Sequence, residues 1–147
     1  MILVGIDGSE SSRAALRFAL AEARQRGTSV RAVGVWHVPV TAYGSAFVPA
    51  NLTLREDLET AARDGLQRAI ADAAAADVEI ETAVKEGQPA DVLLKEAQAA
   101  ELLVVGSRGL GGFRGLLLGS VSQQCAHHAP CPLVIVPRAR DQGPDPA

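Results

Sequence analysis

Residues 102–120 read LLVVGSRGLGGFRGLLLGS, and this stretch decides how the chain is interpreted. It opens with four apolar residues, which is the pattern of a short buried strand. A glycine-rich connection follows, and Ser120 then begins a segment that reads as a helix through His128. A strand that passes through glycines into a helix is the geometry in which main-chain N–H groups converge on a phosphate. The stretch therefore predicts that the chain binds a nucleotide or a similar anion.

The glycines of this connection, residues 106–119 and here called the glycine loop, have a definite spacing. Two residues separate Gly106 from Gly109, and nine more lead to Gly119 and Ser120. Glycine has no Cβ and accepts positive φ, so a phosphate can approach its backbone closely. Ser120 adds a hydroxyl beside the first helical N–H groups, which lack intrahelical partners. The alternative is a merely flexible loop, since glycine also punctuates ordinary turns.

Two better-known phosphate-binding loops are excluded by the residues present. The P-loop pattern requires a lysine after its last glycine, and no lysine follows Lys95 in this chain. A Rossmann G-x-G-x-x-G that includes Gly109 and Gly111 would require a glycine where the chain has Arg114. The glycine loop is therefore a different kind of anion loop.

Composition and charge narrow the class of protein. The chain has 147 residues, enough for one domain with a substantial core. It carries 14 basic and 17 acidic side chains without a basic block, and few aromatic residues, so we expect no nucleic-acid partner. The N-terminal apolar run is too short for a signal peptide, and no stretch is long enough for a membrane span. We therefore expect a cytoplasmic protein without a membrane partner.

Apolar periodicity predicts five strands that alternate with four helices. The predicted strands cover residues 2–6, 30–38, 78–84, 102–105 and 133–136, and the predicted helices cover 9–26, 55–76, 89–99 and 120–128. This alternation is typical of a single α/β domain, over residues 1–138, with a parallel sheet. Residues 39–54 show no period, so their contribution to a site cannot be predicted. Residues 139–147 are expected to be a disordered tail.

Asp7, at the end of the first strand, is the second candidate site residue. Parallel α/β sheets bind ligands at the carboxyl ends of strands, where the strand order reverses. If the first and fourth strands are neighbours, Asp7 lies beside the glycine loop. A carboxylate repels a phosphate, so Asp7 should bind a ribose hydroxyl, a base edge or a cation. The alternative is a plain turn or helix-start residue in Asp7-Gly8-Ser9.

Cysteines and histidines cluster near the C-terminus, in Cys125-Ala-His-His-Ala-Pro-Cys131. A metal site there would need ligands from both sides of a helix end, which is not the usual spacing of structural zinc sites, so we expect no metal. Reduced structural cysteines are the simpler interpretation. His127 and His128 suit a helix C-terminus, and His37 is interpreted as a strand residue rather than a catalyst.

Taken together, these features resemble the nucleotide-binding branch of the universal stress protein family. The resemblance rests on Asp7, on the spacing of the glycine loop through Ser120, and on the closing sequence CPLVIV at 131–136. It covers residues 1–138.

The resemblance implies a flavodoxin-like, Rossmann-like fold with helices on both faces of a sheet of order 3-2-1-4-5. It also implies ATP as the ligand, with or without magnesium, and a homodimer paired through the fifth strand, Leu133, Val134, Ile135 and Val136. Asp7 and the main chain of Val38 would then meet the adenosine. The ribose and phosphates would be bound by Gly106, Gly109, Gly119, Ser120 and Val121. Arg108, within the glycine loop, is a further candidate for a phosphate contact, although an arginine at a loop tip is often merely exposed.

Three functions remain open at this level. The first is a nucleotide-binding regulatory or sensor protein in a stress response. The second is a slow ATPase or autophosphorylating enzyme, with Asp7 as a cation ligand and Ser107 or Ser120 as phosphate acceptor, although the motif contains no recognisable general base. The third is a dimeric interaction module that no longer binds nucleotide.

Overall fold

The structure is a computed structural model, and it describes residues 1–39, 51–110 and 117–138. Strands and helices alternate along the chain, as the sequence predicts. The strands are β1 (Ile2–Ile6), β2 (Val30–Trp36), β3 (Ile80–Glu86), β4 (Leu102–Gly106) and β5 (Leu133–Val136). The helices are α1 (Glu10–Arg26), α2 (Asn51–Ala73), α3 (Pro89–Glu96) and α4 (Ser120–His128), and a short 3₁₀ turn, Ala97–Ala99, follows α3.

The five strands form one parallel sheet of order β3-β2-β1-β4-β5, which confirms the predicted fold class. Helices pack on both faces of the sheet, where alternate side chains of the central strands point to opposite sides. On one face Ile2 and Val4 pack with apolar residues of α1 and α2. On the other face Leu3 and Leu103 pack with α3 and α4. β1 lies in the middle of the sheet, so its carboxyl end is surrounded by neighbouring strands.

Several predicted boundaries differ from those observed. β2 ends at Trp36 rather than at residue 38, because the ladder stops where the Gly87 N–H donates to the Trp36 carbonyl and Gly87 turns the chain toward α3. β3 consequently covers Ile80–Glu86, two residues later than predicted at each end. α2 begins at Asn51, inside the segment predicted to be irregular, and stops before Ala74, whose φ of 48° is left-handed. Residues 40–50 of the predicted loop and the predicted tail at 139–147 lie outside the described residues.

The described ranges contain no helix that is both long enough and apolar enough to cross a membrane.

Candidate functional site

A cavity of about 590 Å³ opens at the carboxyl edge of the sheet, between α3 and α4. It lies where β1 and β4 are adjacent, which is the strand reversal of the order 3-2-1-4-5. The lining residues are Gly5, Ile6, Asp7, Val33, Val35, Pro89, Leu93, Val105, Gly106, Arg108, Gly109, Leu110, Leu118, Gly119, Ser120, Val121, Ser122 and Gln123. Its volume is in the range of small-molecule and cofactor sites.

The start of α4 forms one end of the cavity. Gly119 is the N-cap residue, with φ −78° and ψ 172°, and no side chain caps the helix there. Within the described ranges, no acceptor binds the main-chain N–H of Ser120 or Val121. These donors and the positive end of the helix dipole face the cavity, so an anion would be stabilised at this end.

The opposite wall is apolar and comes from β2 and α3. Val33 and Val35 of β2 contribute to it together with Pro89 and Leu93 of α3. Gly5 leaves room beneath α3, since a Cβ built on Gly5 would lie only 2.8 Å from Cδ1 of Leu93. The cavity therefore combines an apolar wall, suited to a flat ring, with an end suited to an anion.

Asp7 joins two loops at the mouth of the cavity. Its Oδ1 accepts a hydrogen bond of 2.9 Å from the Ser9 N–H, which is a local turn. Its Oδ2 accepts a bond of 3.2 Å from the Leu110 N–H, across to the glycine loop. Asp7 is thus a turn residue and also a cavity residue, and its exposed carboxylate links β1 to the glycine loop.

Gly106 and Gly109 of the motif are required by space and not by backbone conformation. Positive φ values at glycine occur, in the described ranges, at Gly8, Gly27 and Gly87, so the expectation of positive φ in the loop does not hold for Gly106, Gly109 or Gly119. Their close neighbours supply the reason for glycine. A Cβ on Gly106 would lie 2.7 Å from the Ser11 backbone carbon, and one on Gly109 would lie 2.7 Å from Oδ2 of Asp7.

Seven of the eight site residues predicted from the sequence line this one cavity. They are Asp7, Gly106, Arg108, Gly109, Gly119, Ser120 and Val121. Val38 does not line it, because β2 ends two residues earlier and Val33 and Val35 face the cavity instead. Arg108 is half-buried and takes part in none of the ion pairs within the described ranges.

The two serines considered as phosphate acceptors have different environments. Ser120 is exposed and lines the cavity. Ser107 is 7% exposed and does not line the cavity. The Ser107 carbonyl accepts hydrogen bonds from the Gly119 N–H at 2.7 Å and from Oγ of Ser122 at 2.9 Å, which ties the beginning of the loop to its end. The main chain of Ser107 is therefore a structural link, and its side chain lies outside the cavity.

The cysteine and histidine cluster lies away from the cavity. Cys125, a residue of α4, is fully buried, and burial raises the pKa of its thiol to about 11. Cys131 is a free, half-buried thiol just before β5. His127 and His128 occupy the last turn of α4, as predicted, and are exposed. His37 is exposed just beyond the end of β2, so the prediction that it is a strand residue is wrong.

Sequence reasoning missed the apolar wall and the serines behind the glycine loop. The alternation of Val33 and Val35 was a signal for one wall, because β2 neighbours β1. Pro89 was a second signal, since α3 begins directly after the carboxyl end of β3. No local pattern distinguishes Ser11 or Ser122 from other serines near helix starts.

Comparison with known proteins establishes the family. The family model for the universal stress protein family matches residues 1–137. The chain belongs to the universal stress protein family. A universal stress protein of Mycolicibacterium smegmatis is 41% identical over 137 residues, which cover 92% of this chain and 45% of that relative. The chain thus spans less than half of that relative's length. Universal stress protein YxiE of Bacillus subtilis is 36% identical over 143 residues, covering 92% of this chain and 97% of YxiE.

Solved structures of the family share the fold. Universal stress protein UspA of Lactobacillus plantarum superposes with a TM-score of 0.76 at 22% identity, covering 92% of this chain and 95% of UspA. A universal stress protein in complex with cAMP has a TM-score of 0.62 at 30% identity, covering 94% of this chain and 97% of its own. A family protein of Arabidopsis thaliana with AMP bound has a TM-score of 0.67 at 23% identity, covering 99% and 95%.

Proposed function

We propose that the cavity binds an adenine nucleotide and that its preferred ligand is ATP. We also propose that this universal stress protein is a nucleotide-binding regulator or sensor in a stress response. One observation carries the proposal: a single cavity combines an apolar wall with the uncapped N-terminus of α4. A nucleotide has the same two-part character, with a flat base at one end and phosphates at the other. Relatives of the same fold hold cAMP and AMP, which supports this ligand class.

In the proposed complex the base lies against Val33, Val35 and Leu93, and the phosphates lie at the start of α4. The N–H groups of Ser120 and Val121 donate to phosphate oxygens, and Arg108, which also lines the cavity, supplies a positive charge for them. Asp7 lies between the two ends and accepts from a ribose hydroxyl. We retain the main chain of Val38 as a proposed adenine contact, since Val38 follows the strand that supplies the wall.

An enzymatic role is the second candidate. The exposed hydroxyl of Ser120 favours one such reaction, autophosphorylation. A phosphate bound at the α4 start would lie near that hydroxyl, which would then be the acceptor in a slow autophosphorylation. Among the cavity residues that the structure describes, however, Asp7 is the one carboxylate and there is no histidine. Fast chemistry would need a general base, which this set provides only through Asp7. The binding function is therefore preferred.

The ligand can be identified directly. Freshly purified protein is denatured, and the released small molecules are identified by mass spectrometry. We expect an adenine nucleotide in near-stoichiometric amount. A protein that is purified empty, and that also binds none of ATP, ADP, AMP and cAMP when they are added, would contradict the proposal and favour an interaction module without nucleotide.

Thermal denaturation tests the choice of base. A ligand that binds only the native state raises the unfolding free energy by about 2.7 kcal/mol when present at 100 times its dissociation constant. We expect ATP to raise the melting temperature, and GTP at the same concentration to raise it less. Equal shifts with the two nucleotides would contradict selection of adenine.

A further inference from the structure

Ser11, which lies outside the cavity, contacts the glycine loop from behind. It is the second residue of α1 and is 3% exposed. Its hydroxyl donates a hydrogen bond to the carbonyl oxygen of Arg108. Oγ of Ser9 lies 3.5 Å from the same oxygen, but it also accepts the N–H of Ser12 as the N-cap of α1. Ser11 is thus the main restraint on this carbonyl.

The direction of the Arg108 carbonyl determines the direction of the next N–H. The Arg108–Gly109 peptide is trans, so its C=O and N–H point in opposite directions. Because the carbonyl points toward α1, the Gly109 N–H points away from α1. α1 packs on one face of the sheet, and α4 packs on the other. The Gly109 N–H is therefore directed to the α4 side.

The position of the Gly109 nitrogen agrees with this direction. A Cβ built on Gly119, the N-cap of α4, would lie 3.6 Å from that nitrogen. No acceptor in the described part of the chain binds the Gly109 N–H. This donor thus lies beside the free N–H groups of Ser120 and Val121, at the end of the cavity where we propose that phosphate binds.

Gly106 makes the contact with Ser11 possible. A Cβ on Gly106 would lie 2.7 Å from both the backbone carbon and Oγ of Ser11. A larger residue there would push the loop away from α1 and would break the bond to the Arg108 carbonyl. The first glycine of the motif is therefore explained by packing against a positioning side chain.

We infer that Ser11 is a positioning residue for phosphate binding: its hydroxyl holds the Arg108–Gly109 peptide so that the Gly109 N–H, and not a carbonyl oxygen, faces the phosphate. This inference rests on the proposed function. Glycine at 109 leaves this peptide little intrinsic preference, so the restraint must come from outside the loop. Without the hydroxyl the peptide can rotate, and a carbonyl facing the site repels an anion.

The test uses Ser11→Ala, with Ser12→Ala as the matched control. Ser12 is also 3% exposed, and its hydroxyl donates to the Ser9 carbonyl at 2.9 Å, within the same turn of α1. The two variants lose the same atom at the same depth, but of the two hydroxyls only that of Ser11 donates a hydrogen bond to the glycine loop. Affinities for AMP and for adenosine are measured by calorimetry on the full chain.

Ser11→Ala should weaken AMP binding by about ten-fold or more, the loss expected for one donor to a charged group. Its affinity for adenosine, which lacks the phosphate, should change by less than about two-fold, within the small change expected when no contact is lost. Ser12→Ala should change neither. If Ser11→Ala keeps its AMP affinity, or loses AMP and adenosine equally, the inference is wrong. If Ser11→Ala does not fold, Ser11→Cys replaces it, since a thiol keeps the volume but is a weak donor.

A ligand-free measurement separates this inference from the proposed function. The ¹³C carbonyl resonance of Arg108 should shift in Ser11→Ala and stay in place in Ser12→Ala. An unshifted resonance overturns the positioning role, whatever the protein binds. A wild-type protein that binds neither AMP nor adenosine overturns the proposed function and with it the role in phosphate binding, while a shifted resonance would still establish the contact.

Discussion

At the residue scale, the motif glycines differ in the atoms that a side chain at each position would meet. The motif glycines do not have positive φ values, and a Cβ on each would meet a different neighbour. Gly119 has the most room, because its Cβ would lie 3.4 Å from Cα of Arg108. Gly109 has much less, because a Cβ there would lie 2.7 Å from Oδ2 of Asp7. A substitution at Gly109 would therefore also disturb Asp7, whereas a substitution at Gly119 tests phosphate binding more directly.

Gly119→Ala should fold and should lose nucleotide affinity by about ten-fold or more. The added methyl would lie 3.6 Å from the Gly109 nitrogen and would cover a donor that we assign to phosphate. Its φ and ψ suit any residue, so the unfolding free energy should fall by about 1 kcal/mol or less, the difference between glycine and alanine at an N-cap. Calorimetry with ATP and urea unfolding measure the two effects.

Gly65→Ala is the control for that change. Gly65 lies in α2, and nothing lies within 4 Å of a Cβ built there. The substitution should raise the unfolding free energy by about 0.5–1 kcal/mol, because alanine is the better helix former, and should leave nucleotide binding unchanged. Unaltered ATP affinity in Gly119→Ala would place the phosphate elsewhere.

The buried thiol of Cys125 should make stability fall at alkaline pH. Burial raises its pKa from 9.0 to about 11, so the native state keeps a proton that the unfolded state releases. The stabilisation is complete below about pH 9 and is lost as the pH rises toward 11, at up to about 1.4 kcal/mol per pH unit. Urea unfolding between these pH values should therefore show a steeper decline for wild type than for Cys125→Ala. Parallel declines in the two proteins would show that Cys125 does not titrate in this way.

At the element scale, the shape of the cavity depends on a few specific contacts between strands and helices. β1 and α3 approach at Gly5, where Leu93 covers the strand. The ion pairs of Arg31 with Glu96 and Glu81 connect β2 to α3 and β3. The Ser107 carbonyl, bound by the N–H of Gly119 and the hydroxyl of Ser122, connects the end of β4 to the start of α4. These contacts set the distance between the apolar wall and the anion end.

Gly5 and Leu93 should be energetically coupled. Leu93→Ala should lower the unfolding free energy by about 2–5 kcal/mol, because it removes a side chain that is 3% exposed. Gly5→Ala should cost about 1 kcal/mol or more, because Leu93 must move away from a Cβ that would lie 2.8 Å from Cδ1. In the double variant the added methyl meets no leucine, so the loss should be smaller than the sum by at least about 0.5 kcal/mol. Additive losses in urea unfolding would show that the two positions do not interact.

At the scale of the whole molecule, the two edges of the sheet differ. β3 carries Glu81, Lys85 and Glu86 on its exposed positions, and charges at an edge oppose further strand pairing. β5 is LVIV, without a charge, and all four of its residues are half-exposed. An apolar edge of this kind is normally covered, and pairing with the same strand of a second copy about a two-fold axis would cover both. We therefore propose β5 as the dimer interface.

Sedimentation equilibrium should show a dimer at micromolar concentration. Val134→Lys, in the middle of β5, should shift the protein to monomers, because it places a charge at the proposed interface. The matched control is Thr82→Lys, an exposed position on β3 at the opposite edge, which should leave the dimer intact. A monomeric wild type would contradict the proposed pairing.

Local patterns in the sequence were enough to predict the kind and order of the elements, the glycine loop and Asp7, because these features depend on residues that are close together in the chain. The resemblance to universal stress proteins added the strand order, which the structure confirms. Tertiary structure alone decided which side chains meet across the sheet. Gly5 meets Leu93, Ser11 meets the Arg108 carbonyl, and Val33 and Val35 form part of the apolar wall. These partners lie far apart in the chain, and such contacts depend on how helices pack on the sheet, which no local periodicity encodes.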